Sequence, residues 1–136
     1  MTKIPQHLSM IGLGTYDIAK VRAFYGAWGW DEIEGSQPDW CAFDVGGTLL
    51  SFYSMDDLAD EVSVAPRPPS MWGGYTLALN LASVEELTEV FQAAVDAGAE
   101  SITRPQVRHW GGTSGYIADP DGNRWELATG GPNPAP

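Results

Sequence analysis

The chain has 136 residues, 43% of them hydrophobic, which is enough for one domain with a core of its own. Seven Lys and Arg stand against eighteen Asp and Glu, a formal net charge of -11, and such a field repels nucleic acid and anionic membranes while it attracts cationic small molecules. No apolar run reaches membrane length, the start Met-Thr-Lys-Ile-Pro-Gln-His lacks the apolar stretch of a signal peptide, and Cys41 has no partner for an intrachain disulfide, so a cytoplasmic location is expected.

Residues 8–15 read as a strand. Asp17 then serves as an N-cap, and Ile18, Val21, Phe24, Tyr25 and Trp28 recur at helical spacing until Gly29. Residues 30–33 fit a short strand. Residues 40–45 and 48–54 are strands joined by Gly46-Gly47, a two-residue hairpin that pairs Ala42 with Ser51 and Cys41 with Phe52. A helical turn is expected within residues 55–62. Residues 65–74 contain three prolines and read as a linker.

The pattern then starts again. Residues 75–81 are a strand with Leu77, Leu79 and Leu81 on one face. Ser83 and Glu86 form a capping box. Val84, Leu87, Val90, Phe91, Ala94 and Val95 make the buried stripe of the helix that follows, and Gly98 stops it. Residues 101–107 are a strand carrying Pro105, as an edge strand can. Asp119-Pro120-Asp121-Gly122 fits a type I turn followed by a Gly bulge, closed by Asp119 and Asn123. That register sets Ile117 opposite Trp125 and Tyr116 opposite Glu126. Ile117, Trp125 and Leu127 then share an apolar face, and Tyr116, Arg124 and Glu126 share the other. Residues 130–136, rich in Gly and Pro, have nothing to pack and are expected to be disordered.

One unit therefore occurs twice. The expected fold is α+β: two tandem βαβββ modules, residues 1–64 and 75–129, with helices outside and curved mixed sheets around a shared cavity. By alternation Met10, Trp40, Ser51, Tyr53, Thr76, Asn80, Tyr116 and Glu126 face that cavity, and Trp72 and Trp110 stand on loops that could close it.

Three stretches carry a family resemblance: residues 17–30 with the Trp-Gly-Trp end, the strand and helix of residues 75–98, and Asp119-Pro120-Asp121-Gly122-Asn123 followed by Trp125-Glu126-Leu127. The chain resembles the vicinal oxygen chelate superfamily, the glyoxalase/bleomycin-resistance/extradiol-dioxygenase proteins. The resemblance implies four metal-ligand positions in metal-dependent members, one on each of four strands. By the repeat they correspond here to Met10, Ser51, Thr76 and Glu126, of which only Glu126 is a competent ligand for Zn²⁺, Fe²⁺ or Mn²⁺. No cofactor is expected. The resemblance also implies a homodimer whose two chains complete the cavities, and Trp28 and Trp30 are compatible with such a contact.

Two uses of the cavity follow. As in bleomycin-resistance-type members, it would sequester a flat aromatic or cationic ligand, with Trp40, Ser51, Tyr53, Trp72, Thr76, Asn80 and Trp110 as the binding set. Alternatively the protein is a metal-free isomerase or lyase, with Glu126 as general base, Tyr116 as hydrogen-bond donor and His109 as a proton carrier. A metal-dependent lyase or dioxygenase is a further alternative; glyoxalase I activity itself is not expected without the metal site. The bland alternative pairs Glu126 with Arg124 or Arg104 and leaves the fold without activity.

Overall fold

The computed structural model describes residues 1–136. Its elements run β1 (Met10–Thr15), α1 (Ile18–Ala27), β2 (Trp40–Asp44), β3 (Leu49–Ser54), α2 (Met55–Glu61), β4 (Thr76–Asn80), α3 (Val84–Asp96), β5 (Glu100–Val107), β6 (Thr113–Ala118) and β7 (Arg124–Thr129). Asp17, in extended backbone, accepts the Lys20 N–H at 3.1 Å and starts α1. Gly29 takes φ +84 beyond the end of that helix. Ser83 caps α3 in the same way through the Glu86 N–H at 3.1 Å, and Glu86 reaches back to the N–H of Ala82, one residue earlier than a capping box requires.

Two sheets result, in strand orders β1-β3-β2 and β4-β7-β6-β5. In each, the first strand of the module lies parallel to its last: β1 on β3 and β4 on β7. The hairpin registers are those expected, with Ala42 opposite Ser51, Ile117 opposite Trp125, and Tyr116 opposite Glu126.

Three expectations change. Residues 30–33 form no strand; Glu32 makes an isolated bridge to Phe43. The Arg22 guanidinium gathers this stretch instead, paired with Glu32 at 2.8 Å and donating to the carbonyls of Gln37 and Pro38. The turn expected within residues 55–62 is a full helix, α2, capped by Ser54. Val84 does not join the buried stripe: at the first position of α3 it lies 54% exposed.

One core serves both modules. Val21, Phe24 and Tyr25 of α1, Phe43, Leu50 and Phe52 of the first sheet, Leu87 of α3, and Ile117, Trp125 and Leu127 of the second sheet form a single cluster. Trp28 and Trp30 turn into it, with ring centroids 5.6 and 5.7 Å from Trp125. Offset and edge-to-face aromatic contacts of this kind add about 0.5–1.5 kcal/mol per pair beyond buried area.

The turn after β6 is the polar centre of that core. Asp119 accepts from the Asp121 and Asn123 N–H groups, from Asn123 Nδ2 at 2.8 Å, and from the Tyr25 hydroxyl at 2.6 Å. The Tyr75 hydroxyl donates to Asn123 Oδ1, and the Tyr16 N–H donates to Asp121. Gly122, at φ +83, supplies the left-handed residue the turn demands. The Asp-Pro-Asp-Gly-Asn stretch is thus a structural clasp between modules.

Candidate functional site

Because the helix-covered sides of both sheets share one core, the opposite faces line separate recesses within the chain rather than the single cavity expected from the repeat. On the first sheet, Met10, Gly12, Trp40, Ser51 and Tyr53 line a recess of about 310 Å³ together with Leu58 and Glu61 of α2. On the second, Ala78, Asn80, Trp110, Glu126 and Ala128 line one of about 320 Å³. Beside it, Trp72, Thr76, Thr103, Tyr116 and Arg124 line another of about 430 Å³.

Glu126 and Tyr116 join the last two recesses. The parallel register of β4 on β7 sets Ala78 beside Glu126, and the β6–β7 hairpin sets Tyr116 opposite it. Ala78 is short, so the carboxylate stands clear of its neighbour. The Tyr116 hydroxyl donates to Glu126 Oε2 at 2.9 Å. Burial first, and then the Glu126 carboxylate, raise the Tyr116 pKa above its ordinary value, so the phenol keeps its proton and stays a donor. Arg108 stacks 5.6 Å from the centre of the Tyr116 ring while its own N–H groups hold Ser114. Neither Arg104 nor Arg124 pairs with Glu126: the ion pair of the chain is Arg22–Glu32, and Arg124 donates to the Gly122 carbonyl.

Trp110 forms a wall beside the carboxylate. Gly112 makes its position available, since a Cβ there would overlap the indole ring and press on the Thr129 carbonyl. Residues 131–133, where nothing was expected to pack, lie against the same recess, with the Asn133 carbonyl accepting from Asn80 Nδ2 at 3.1 Å. Trp72 is fixed from the other side by its indole N–H, which donates to the Tyr75 carbonyl at 2.7 Å. His109 is exposed on the turn between β5 and β6 and lines none of the three recesses.

The recess on the first sheet is also aromatic and acidic. Trp40 and Tyr53 are cross-strand partners there. The negative charge of Asp57, with smaller effects of burial, Glu61 and Asp39, raises the Tyr53 pKa. Sequence reasoning missed Glu61 and Asp57; the acidic run 56–61 is visible in the sequence, but its direction depends on α2.

The four residues expected from the sequence repeat at the family's metal-ligand positions divide between faces. Met10 and Ser51 line the first-sheet recess, and Thr76 and Glu126 line the two on the second. The Ser51 hydroxyl is 3.4 Å from the Ile11 carbonyl and donates to it. A thioether, two uncharged hydroxyls and one carboxylate do not fit a hard or borderline divalent ion.

The profile of the Glyoxalase/Bleomycin resistance protein/Dioxygenase superfamily matches residues 7–127. A glyoxalase-related enzyme from Fulvimarina pelagi is similar in structure at TM-score 0.82 and 30% identity, covering 92% of this chain and 88% of its own. A lactoylglutathione lyase from Agrobacterium tumefaciens shares the fold at TM-score 0.69 and 19% identity, over 93% and 96% of the two chains. A transposon-encoded bleomycin resistance determinant shares it at TM-score 0.63 and 21% identity, over 91% and 98%. An uncharacterized protein of Mycobacterium bovis is 32% identical over 72 residues, 53% of this chain and 47% of its own; the chain spans about half the length of the curated relatives it matches. No helix is long and apolar enough to cross a membrane. The clasp at Asp119, the paired modules and the match over residues 7–127 agree: the chain belongs to the Glyoxalase/Bleomycin resistance protein/Dioxygenase superfamily.

Proposed function

We propose that this protein binds a flat aromatic or cationic small molecule without a metal, at the sheet face that carries Glu126. The observation that supports this reading is the Glu126 carboxylate, tied at one oxygen to Tyr116 and set beside the Trp110 ring. The other carboxylate oxygen can accept a charge-assisted hydrogen bond from an ammonium or amidinium group, the stronger class of such bonds. Trp110 offers a ring face, and a cation over an indole gains about 0.5–2 kcal/mol. The net charge of -11 favours the approach of a cation over an anion.

The two faces are apart within one chain, and a homodimer would oppose the Trp40–Tyr53 face of one copy to the Glu126 face of the other. A ligand between them would meet aromatic rings on both sides and acid from Glu61 as well as Glu126.

The test is tryptophan fluorescence quenching in EDTA by planar compounds matched in size but differing in charge. Cationic compounds are expected to bind at least about tenfold more tightly than anionic ones, as one lost charge-assisted bond implies. Glu126→Gln should erase most of that preference, and Trp110→Ala should weaken all of the compounds. Equal binding of both charge classes, unaffected by either variant, would sink the reading.

A second reading rests on the same pair. With Tyr116 orienting it, Glu126 could take a proton from a carbon acid bound in the recess. Turnover of any substrate that disappears in Glu126→Gln while binding survives would favour this reading over sequestration.

A further inference from the structure

Arg124 and Glu126 stand two residues apart on β7 and share the face that carries the recesses, which sets their Cα atoms roughly 7 Å apart. They do not pair with each other. Glu126 lines one recess and is held by the Tyr116 hydroxyl. Arg124 lines the neighbouring one, of about 430 Å³, with Thr76 beside it on β4 and Trp72 and Thr103 as further walls. A guanidinium has five N–H donors, and here the Gly122 carbonyl takes one of them, from Nη1 at 3.0 Å. That bond anchors the half-buried side chain at the turn and leaves its Nε and Nη2 edge free. No carboxylate lies within ion-pair distance of Arg124, and no acidic side chain lines its recess. Arg108, 5.6 Å from the centre of the Tyr116 ring, adds a second positive charge but gives its Nε and Nη2 donors to Ser114. One strand face thus presents an acid and a base that are each fixed by a neutral partner and left without a counter-charge.

On the reading that Glu126 receives a cation, we propose that the ligand of this face is a zwitterion: a planar ring with an ammonium or amidinium group at one end and a carboxylate at the other. The cationic end meets Glu126 and Trp110, the ring crosses Tyr116, and the carboxylate meets Arg124. The free edge of the guanidinium matches a carboxylate with two parallel hydrogen bonds, the geometry in which arginine is most selective. The Thr76 and Thr103 hydroxyls stand in the same recess as further donors. An anion without a cationic end would leave Glu126 unanswered and would approach against the net charge of -11.

Two probes test the assignment: para-aminomethylbenzoate and its methyl ester. Both carry the ammonium group, and only the first carries the anion. Each is titrated calorimetrically into the full chain in EDTA. The acid is expected to bind at least about tenfold more tightly than the ester, as one hydrogen bond to a charged group implies. That order runs against the protein's net charge, which by itself favours the positively charged ester. Arg124→Gln should bring the acid down to the affinity of the ester and leave the ester where it was. Arg124→Lys keeps the charge without the fork, and its preference for the acid should fall between the two; it serves as the second variant should the turn at Gly122 not tolerate glutamine. Glu126→Gln should weaken both probes alike and preserve their ratio. No saturable binding of the acid, equal affinity of acid and ester for the unaltered protein, or a preference that neither Arg124 variant moves would overturn the zwitterion assignment. The last two of these would leave the cation reading intact. Ester binding indifferent to Glu126→Gln would instead sink the cation reading, and the zwitterion with it.

Discussion

The Tyr25 hydroxyl donates to Asp119 Oδ2 at 2.6 Å, joining the first helix to the last hairpin across 94 positions of sequence. The same oxygen of Tyr25 accepts the Trp125 indole N–H at 3.0 Å. Both partners are buried, so the bond is sheltered from water. It makes the two modules one cooperative unit. Tyr25→Phe keeps the ring but leaves the Trp125 N–H without an acceptor and Asp119 short of a donor. The expected cost is about 1–3 kcal/mol, read as a lower urea midpoint with an unchanged slope.

Two buried acids make stability fall in alkali. Burial raises the Tyr25 phenol well above 10.0, with Asp119 adding to it, and burial raises the Cys41 thiol from 9.0 to about 11. In both cases the folded chain holds its proton after the unfolded chain has released it. The stability that these two groups contribute is therefore complete below pH 9; the Cys41 share is lost as pH rises from 9 through about 11, and the Tyr25 share as pH rises above 10.0. Urea midpoints at pH 8 and pH 10 should show the decline, and Cys41→Ala should remove the part that begins near pH 9. Native protein at pH 8 should resist thiol reagents.

Gly112 holds the place of the Trp110 ring. Gly112→Ala forces the ring or the chain at Thr129 to move, and overpacking of this sort costs about 1–3 kcal/mol. The expected readouts are a red-shifted tryptophan emission, as the ring gains solvent, and weaker binding of planar compounds. An unchanged spectrum would mean that the ring does not rest there in solution.

Much of this architecture is legible in the sequence because it is local. The caps at Asp17 and Ser83, the Gly-Gly turn and the Asp-Pro-Asp-Gly-Asn turn fix helix starts and strand registers, and through the register the Tyr116–Glu126 pair. Two tandem copies then indicate the superfamily fold. The faces of the sheets were not legible in the same way. Whether Trp28 and Trp30 point to a partner or to the core depends on contacts with Trp125, about a hundred residues away, which no local pattern encodes. The same contacts join the helix sides of the modules and separate the recesses that the repeat alone would merge. The Arg22 anchor that replaces a strand over residues 30–33 is likewise a long side chain acting at a distance.

Calorimetric titration of metal-stripped protein with ethidium, a planar cation, repeated after addition of Zn²⁺, Fe²⁺ or Mn²⁺, separates metal-free binding from a metal site. The expected result is one saturable site whose affinity is the same with and without metal, weakened about tenfold by Glu126→Gln while the thermal midpoint stays put, because Glu126 is only half-buried and pairs with no cation. Binding that appears only with a divalent metal, at one ion per chain, and vanishes in Glu126→Gln would contradict the account and return Met10, Ser51 and Thr76 to the status of a working metal site.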